Sequence, residues 1–139
     1  MPSILGDCKC RHPEEGETTH WGGNQVVVLV EEKTHRKMEG IIEISDGRPL
    51  EHALVEIFDH PEYLLDQSSS PKRDHPEQKR LAVCRTAADG KFCLRDLPSG
   101  KYELRSSIDS GWNVTHVYVV LDKKAGQDKA LRVLMELGT

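Results

Sequence analysis

Aromatic residues are scarce in this sequence, and two further features that mark common protein classes are missing. Two Trp, three Tyr and two Phe make up 5% of the 139 residues, so a deep pocket lined with aromatic rings is not the expected design. Asp and Glu outnumber Lys and Arg by 23 to 19, which excludes the basic excess of a nucleic-acid-binding protein. No apolar run approaches the roughly 20 residues of a membrane-spanning helix. The length fits one domain.

The familiar catalytic motifs are missing as well. The sequence contains no GxSxG nucleophile elbow, no HExxH zinc motif and no phosphate-binding P-loop. Its seven histidines are scattered along the chain without the spacing of metal ligands. From motifs alone we therefore predict no catalytic residue and no cofactor.

The four cysteines lie in two contrasting contexts. Cys84 and Cys93 flank a turn sequence. A four-residue hairpin loop would place them opposite each other at disulfide distance, whereas a two-residue Asp-Gly loop would leave them diagonal, as two packed thiols. Cys8, Cys10 and His12 have metal-binding side chains. Structural zinc sites normally show CxxC spacing and a second matched pair, so incidental cysteines are the favoured interpretation.

The N-terminal segment 1–24 is rich in Gly, Pro, Glu and His and has no hydrophobic periodicity. This predicts an extended or partly ordered arm. Its first residues are too short an apolar stretch for a signal peptide, so no export signal is predicted in this chain. From residue 25 onward the composition becomes that of strands, and we predict a single β-sandwich domain over 25–139.

About eight strand-like segments alternate with turn sequences in this domain. The run Val26–Val30 is β-branched and flanked by charge, which predicts a buried strand, and the later segments are separated by Gly, Pro and Asp-Gly turns. Residues 60–80 hold three prolines and three consecutive serines, which predicts a long loop or a short helix near 62–67 followed by a flexible tip. Because the sequence leaves no room for helical crossovers, the pattern predicts an all-β, antiparallel sandwich of seven or eight strands.

The order of the motifs resembles a known family. The sequence DGRPL at 46–50 leads into one strand, TAADGKF at 86–92 into another and LPSGKYEL at 97–104 into a third. Over roughly 36–138 the chain resembles the carboxypeptidase regulatory-like domains, which are prealbumin-like (transthyretin-like) Greek-key sandwiches similar to Cna B-type repeats. The resemblance implies a non-catalytic accessory, binding or spacer module, often in exported or cell-surface bacterial proteins.

Two enzyme families with related sandwiches provide alternatives. Hydroxyisourate hydrolases carry a C-terminal Tyr-Arg-Gly-Ser signature, whereas this chain ends in MELGT. Intradiol ring-cleavage dioxygenases contain a stretch similar to residues 89–102 and hold ferric iron with two tyrosines and an HxH pair. Here the corresponding strand has His116, with Tyr118 in place of the second histidine. A metal-dependent enzyme using these two residues is the alternative, and an ordinary edge or surface histidine is the favoured interpretation.

Binding surfaces are the remaining candidates. Trp112 follows a turn sequence, where its ring could stack on a sugar or dock a partner, although a rim residue covering the core is favoured. His116 and Tyr118 share one strand face and could contact the same ligand. Open sheet edges accept another strand, which makes a homodimer or a protein partner an expectation. The leading prediction is a non-catalytic binding or structural accessory module, with carbohydrate binding through Trp112 as the alternative.

Overall fold

Strands make up most of the described part of the chain. The computed structural model describes residues 26–31, 33–44, 46–65, 78–108, 114–124 and 130–135. In chain order the elements are β1 (Val26–Val30), β2 (Met38–Ile44), β3 (Leu54–Phe58), the 3-10 helix η1 (Pro61–Leu64), β4 (Arg80–Arg85), β5 (Lys91–Leu94), β6 (Gly100–Ser107), β7 (Val114–Leu121) and β8 (Leu131–Met135). The prediction of an all-β fold is confirmed. No helix within these ranges is long and apolar enough to cross a membrane.

Several sequence predictions fall outside the described residues. They are the arm 1–24 with Cys8, Cys10 and His12, residues 66–77 of the predicted 60–80 loop, and Trp112.

The eight strands form two sheets. One has the order β1–β7–β6–β3–β4 and the other the order β5–β2–β8. Most neighbours are antiparallel, but β1 pairs with β7 and β2 pairs with β8 in parallel. The expectation of purely antiparallel sheets is therefore wrong. The reason is that β1 and β8 join strands far away in the sequence, rather than hairpin neighbours.

The connection between β1 and β2 crosses from one sheet to the other. The backbone N–H of His35 donates to the carbonyl oxygen of Val120 (3.0 Å), and the N–H of Asp122 donates to the carbonyl oxygen of His35 (2.8 Å). His35 is 3% exposed. The connection is thus fixed to the end of β7 before β2 begins in the second sheet.

The predicted hairpin between β4 and β5 is also a crossing between sheets. The hydroxyl of Thr86 donates to the carbonyl oxygen of Leu50 (2.6 Å) and accepts from the N–H of Ala53 (2.9 Å). The carbonyl oxygen of Gly90 then accepts from the N–H of Ile42 in β2 (2.8 Å). These bonds lead the chain away from β4, the edge of the larger sheet, to β5, the edge of the smaller one.

One of the two arrangements considered for Cys84 and Cys93, a disulfide bridge between them, is not formed. Cys84 lies on β4 opposite Val55, is buried and forms no disulfide. Cys93 lies on β5 opposite Glu39 in the other sheet and is itself disulfide-bonded. The two cysteines are therefore not cross-strand neighbours in either hairpin register.

The hydrophobic core lies between the two sheets. The inward residues of the larger sheet are Val55, Ile57, Leu104, Val117 and Val119, and those of the smaller sheet include Ile42, Phe92, Leu131, Val133 and Met135. Strand alternation turns the residues between them to the outer faces. The outer face of the larger sheet carries the first candidate site.

Candidate functional site

A row of charged side chains crosses the outer face of the five-stranded sheet. His116 on β7 lies opposite Arg105 on β6, which in turn lies opposite Glu56 on β3. Two residues along the strands, Tyr118 lies opposite Glu103. Because side chains two positions apart share a face, the rows lie side by side on the surface turned away from the core.

These charges are buried although they lie outside the hydrophobic core. Glu103 and Arg105 are each 1% exposed, and Glu56 and His116 are 0% exposed. A carboxylate at such a depth requires donors, because an unpaired buried charge is strongly unfavourable. Glu103 has three such donors. We call the group formed by Glu103, Arg105, His116 and Glu56 the outer-face cluster.

Glu103 is the acceptor at the centre of the outer-face cluster. The Nδ1 nitrogen of His116 lies 2.6 Å from Oε2 of Glu103, and the Nε–H of Arg105 donates to the same oxygen at 3.0 Å. The side-chain amide of Gln78 donates to Oε1 at 2.7 Å. Burial raises the pKa of Glu103, but the His116 hydrogen bond and the Arg105 charge outweigh it and hold the pKa at about 2.

The other charges of the outer-face cluster are also partnered. The guanidinium carbon of Arg105 lies 4.0 Å from the ring centre of Phe58, a cation–π contact. The Nη1–H of Arg80 donates to Oε2 of Glu56 at 3.0 Å, and the Arg80 side chain is 33% exposed. The described contacts of the cluster thus join its members to one another and to Phe58 and Arg80 on neighbouring strands.

Gln78 connects this network to the segment after β3. Its side-chain amide reaches the carbonyl oxygens of Asp59 (3.1 Å) and His60 (3.4 Å) as well as Glu103. The helix η1 follows at once, with Pro61 buried, and packs against β6 and β7. The first residues of the predicted 60–80 loop are therefore anchored on the charged face of the sheet.

The structure corrects the interpretation of His116. We expected an edge or surface histidine, but β7 lies between β1 and β6, and His116 is fully buried and bonded to Glu103. Tyr118 is half-buried on the same face of β7. Among the described residues, no group of three or more His, Cys, Asp or Glu side chains is arranged to hold a metal ion.

Sequence reasoning missed Glu103, Arg105 and Glu56. The alternation in KYELR signals that Glu103 and Arg105 share a face opposite Leu104. That signal indicates a solvated charged face, because burial there depends on η1 and on other segments distant in sequence. His116 was the one member that the sequence brought forward.

A second candidate surface is the open edge of the larger sheet. Among the described strands, β1 pairs with β7 alone. Three consecutive side chains of β1 are solvent-exposed: Val28 at 37%, Leu29 at 38% and Val30 at 54%. Natural edge strands usually carry a charge, a proline or a bulge that discourages pairing, and this run of valine and leucine has none.

A groove of about 310 Å³ continues from this edge toward β8. It is lined by Leu29, Val30, Glu31, Lys33, Val117 and Arg132. Leu29 and Val117 are register partners and share a face, so the groove has an apolar side next to a charged end. Together, β1 and this groove form an apolar surface with both hydrogen-bonding backbone and polar side chains, which suits an extended polypeptide.

The outer-face cluster makes stability depend on acid. The ordinary pKa of a glutamate is 4.5, and that of Glu103 is about 2 in the folded protein. The ionised form therefore stabilises the fold above pH 4.5, and this contribution is lost as the pH falls from there toward 2. We expect the free energy of unfolding to drop by roughly 3 kcal/mol over that range from this group.

Urea titrations at a series of pH values measure this drop. In Glu103→Gln the slope of stability against pH should flatten, while Glu51→Gln, at an exposed carboxylate, should keep the wild-type slope. A slope unchanged in Glu103→Gln would assign the acid sensitivity to other carboxylates.

Comparisons with known proteins add no family assignment. The chain matches no family model and no curated protein.

Proposed function

We propose that this chain is a non-catalytic binding module of the prealbumin-like, carboxypeptidase regulatory-like type, which binds an extended segment of another protein along β1. The observation that carries the proposal is the exposed edge formed by Val28, Leu29 and Val30. An incoming strand would extend the five-stranded sheet and cover these side chains, the mode of recognition called β-augmentation.

The two-sheet architecture supports the structural half of this proposal. The sheets enclose one core in the described part of the chain, and Phe92 and Tyr102 from the family-like motifs both belong to it. Their burial is what the motifs require if they serve the fold rather than a reaction. A fold of this kind does not by itself assign an activity, so the function rests on the edge.

The chemistry of the outer-face cluster supports the non-catalytic half. Glu103 receives three hydrogen bonds and has a pKa of about 2, so it is ionised near neutral pH and is a poor general acid or base there. The groove contains neither Glu103 nor His116. Perturbed ionisable groups that line a cavity would favour an enzyme, and here they lie apart from the groove.

An exported or cell-surface location forms part of the proposal. The family resemblance implies it, and the disulfide bond at Cys93 supports it, because disulfides persist mainly in oxidising compartments. Non-reducing peptide mapping of the protein isolated from its native host tests this. We expect Cys93 in a crosslinked peptide, and recovery of Cys93 as a free thiol would count against export.

Backbone direction identifies the variant that tests strand addition. The N–H of Glu31 donates to the carbonyl oxygen of Tyr118 (2.9 Å), so the backbone groups of Leu29 and Glu31 face β7. Those of Val28 and Val30 face the open edge. Proline is tolerated on an edge strand where its missing N–H faces solvent, so Val30→Pro removes an outward donor and leaves the ladder to β7 intact.

We expect a synthetic peptide of alternating valine and threonine, flanked by glutamines, to shift the amide signals of β1 in NMR titrations. Binding should slow hydrogen exchange at Val28 and Val30. Val30→Pro should weaken binding at least about tenfold, the equivalent of one or two lost hydrogen bonds. Val30→Thr keeps the N–H and the branched side chain and should bind like the wild type.

Thermal unfolding of both variants provides the control for folding. If the peptide shifts signals elsewhere, or if it binds Val30→Pro and Val30→Thr alike, strand addition at β1 is wrong. Sedimentation of the protein alone measures its oligomeric state and so tests whether a second copy of the chain pairs with this edge. A dimer that Val30→Pro dissociates would replace the partner protein with self-association.

A further inference from the structure

We infer that the groove beside β1 selects a partner strand carrying an acidic side chain, which Lys33 and Arg132 bind at its charged end. This inference rests on the proposed function and adds the chemistry of the partner. The groove residues supply an apolar wall in Leu29 and Val117 and both cations at its rim. A carboxylate next to apolar side chains is the complement of that arrangement.

The carboxylates near the groove are already occupied. Oε1 of Glu43 accepts from both Nε and Nη2 of Arg132, at 3.1 and 2.8 Å. Oε1 of Glu31 accepts from the backbone N–H of Lys33 at 3.1 Å, and its other oxygen lies 3.7 Å from Nε2 of His35. The carboxylates of Glu43 and Glu31 are therefore already paired with donors from this chain.

The two cations keep donors available. Arg132 uses two of its three nitrogens on Glu43, and its side chain is 69% exposed. Within the described ranges, the Lys33 ammonium takes part in no ion pair, and Lys33 is exposed. An incoming carboxylate can thus accept from Lys33 and from the remaining Arg132 nitrogen without displacing an existing bond.

A second copy of the chain paired at the middle of β1 supplies no carboxylate for this rim. In a two-fold antiparallel pairing centred on Val28, the Lys33 end of one strand lies opposite the sequence Gly-Asn-Gln that precedes β1 in the other. That sequence has no carboxylate. The charge pattern therefore favours a different protein, whose strand bears Asp or Glu beside its apolar run.

The test compares two synthetic strand peptides by isothermal titration calorimetry at low salt. Both alternate valine and threonine, and one is flanked by glutamates where the other is flanked by glutamines. We expect the glutamate peptide to bind about threefold to tenfold more tightly, the range for one or two partly exposed charge pairs. Raising the salt concentration should remove most of this gain.

Lys33→Gln should reduce the preference for the glutamate peptide and leave binding of the glutamine peptide unchanged. The matched control is Lys79→Gln, at an exposed lysine beside β4 on the opposite edge of the sheet, and it should keep the full preference. Within the described residues the Lys33 ammonium donates no hydrogen bond, and its backbone N–H bond to Glu31 is kept in the variant, so Lys33→Gln should unfold like the wild type.

The outcomes separate this inference from the proposed function. Equal affinities for the two peptides would overturn the acidic partner and leave strand addition at β1 in place. Absence of binding by both peptides would overturn the proposed function itself. A preference that survives in Lys33→Gln would assign the selectivity to a different part of the surface and refute the role of the rim.

Discussion

Replacing Gly40 with alanine is expected to destabilise the protein by about 3 kcal/mol or more, among the largest effects of any single substitution in this fold. Gly40 lies in β2, the central strand of the smaller sheet, opposite Leu131 of β8. A Cβ atom at Gly40 would lie 1.9 Å from the carbonyl oxygen of Leu131 and 2.9 Å from its Cβ. The obstacle is backbone, so no change of rotamer relieves it.

The physical result should be separation of β8 from β2. Leu131, Val133 and Met135 of β8 all belong to the core, so displacement of this strand exposes a large apolar area. Urea unfolding followed by circular dichroism measures the loss. Full hydrogen–deuterium protection retained along β8 in Gly40→Ala would contradict this account.

Gly100→Ala is the matched control for Gly40→Ala. Gly100 also lies in a paired strand, at the start of β6 opposite Leu121. A Cβ there would meet Tyr102 at 3.6 Å or more, which is an ordinary contact. We expect a change within about 1 kcal/mol in either direction, since the alanine also restricts the unfolded chain. Similar losses in the two variants would mean that glycine content, and not the approach of Leu131, determines the result.

Local patterns predicted the strands well because the alternation of apolar and polar residues that indicates a strand lies within the segment itself. The run Val26–Val30 is predicted as a strand and forms β1, and the strands predicted with the motifs at 46–50, 86–92 and 97–104 are β3, β5 and β6. Parallel pairing was not foreseeable in this way. Whether Val26–Val30 lies beside β7 depends on where His35 bonds to the far end of that strand.

The β4–β5 connection shows the same limit at closer range. A turn sequence between two strands normally indicates a hairpin, and the disulfide hypothesis for Cys84 and Cys93 followed from it. The hydroxyl of Thr86 instead bonds to Leu50 and Ala53, more than thirty positions earlier. A bond between distant segments decides the path, and no pattern within the turn records it.

The candidate surfaces were foreseen unevenly for a related reason. An open sheet edge was expected, but the β-branched run Val26–Val30 predicts a buried strand, and the structure instead exposes Val28, Leu29 and Val30 at that edge. For the outer face of the five-stranded sheet, alternation correctly places Glu103 and Arg105 on the same side, but it predicts that such residues are solvent-exposed. Their burial becomes visible only in the structure, where Gln78 donates to Glu103 and to the carbonyl oxygens of Asp59 and His60.

Removing the carboxylate of Glu103 is the second substitution with a large expected effect. Glu103→Ala leaves Arg105 and His116 buried without their shared acceptor, and loss of one partner of a buried ion pair typically costs about 3 to 5 kcal/mol. Gln78 loses the same acceptor. Urea unfolding at neutral pH should show the loss, and Glu62→Ala, at a side chain 64% exposed, should change stability by less than about 0.5 kcal/mol.

A double variant distinguishes the need for the ion pair from the need for filled space. Glu103→Leu alone leaves both the His116 ring and Arg105 without their shared acceptor, whereas adding His116→Leu removes one of these two buried polar groups and leaves Arg105 alone. We therefore expect the double variant to recover part of the stability lost in Glu103→Leu. Hydrogen exchange around Asp59 and η1 should be faster in both variants than in the wild type, because each variant lacks the Gln78 contact to Glu103. Slow exchange there in the double variant would show that packing of Pro61 alone anchors the segment, and the charged face would then serve stability rather than attachment of this loop.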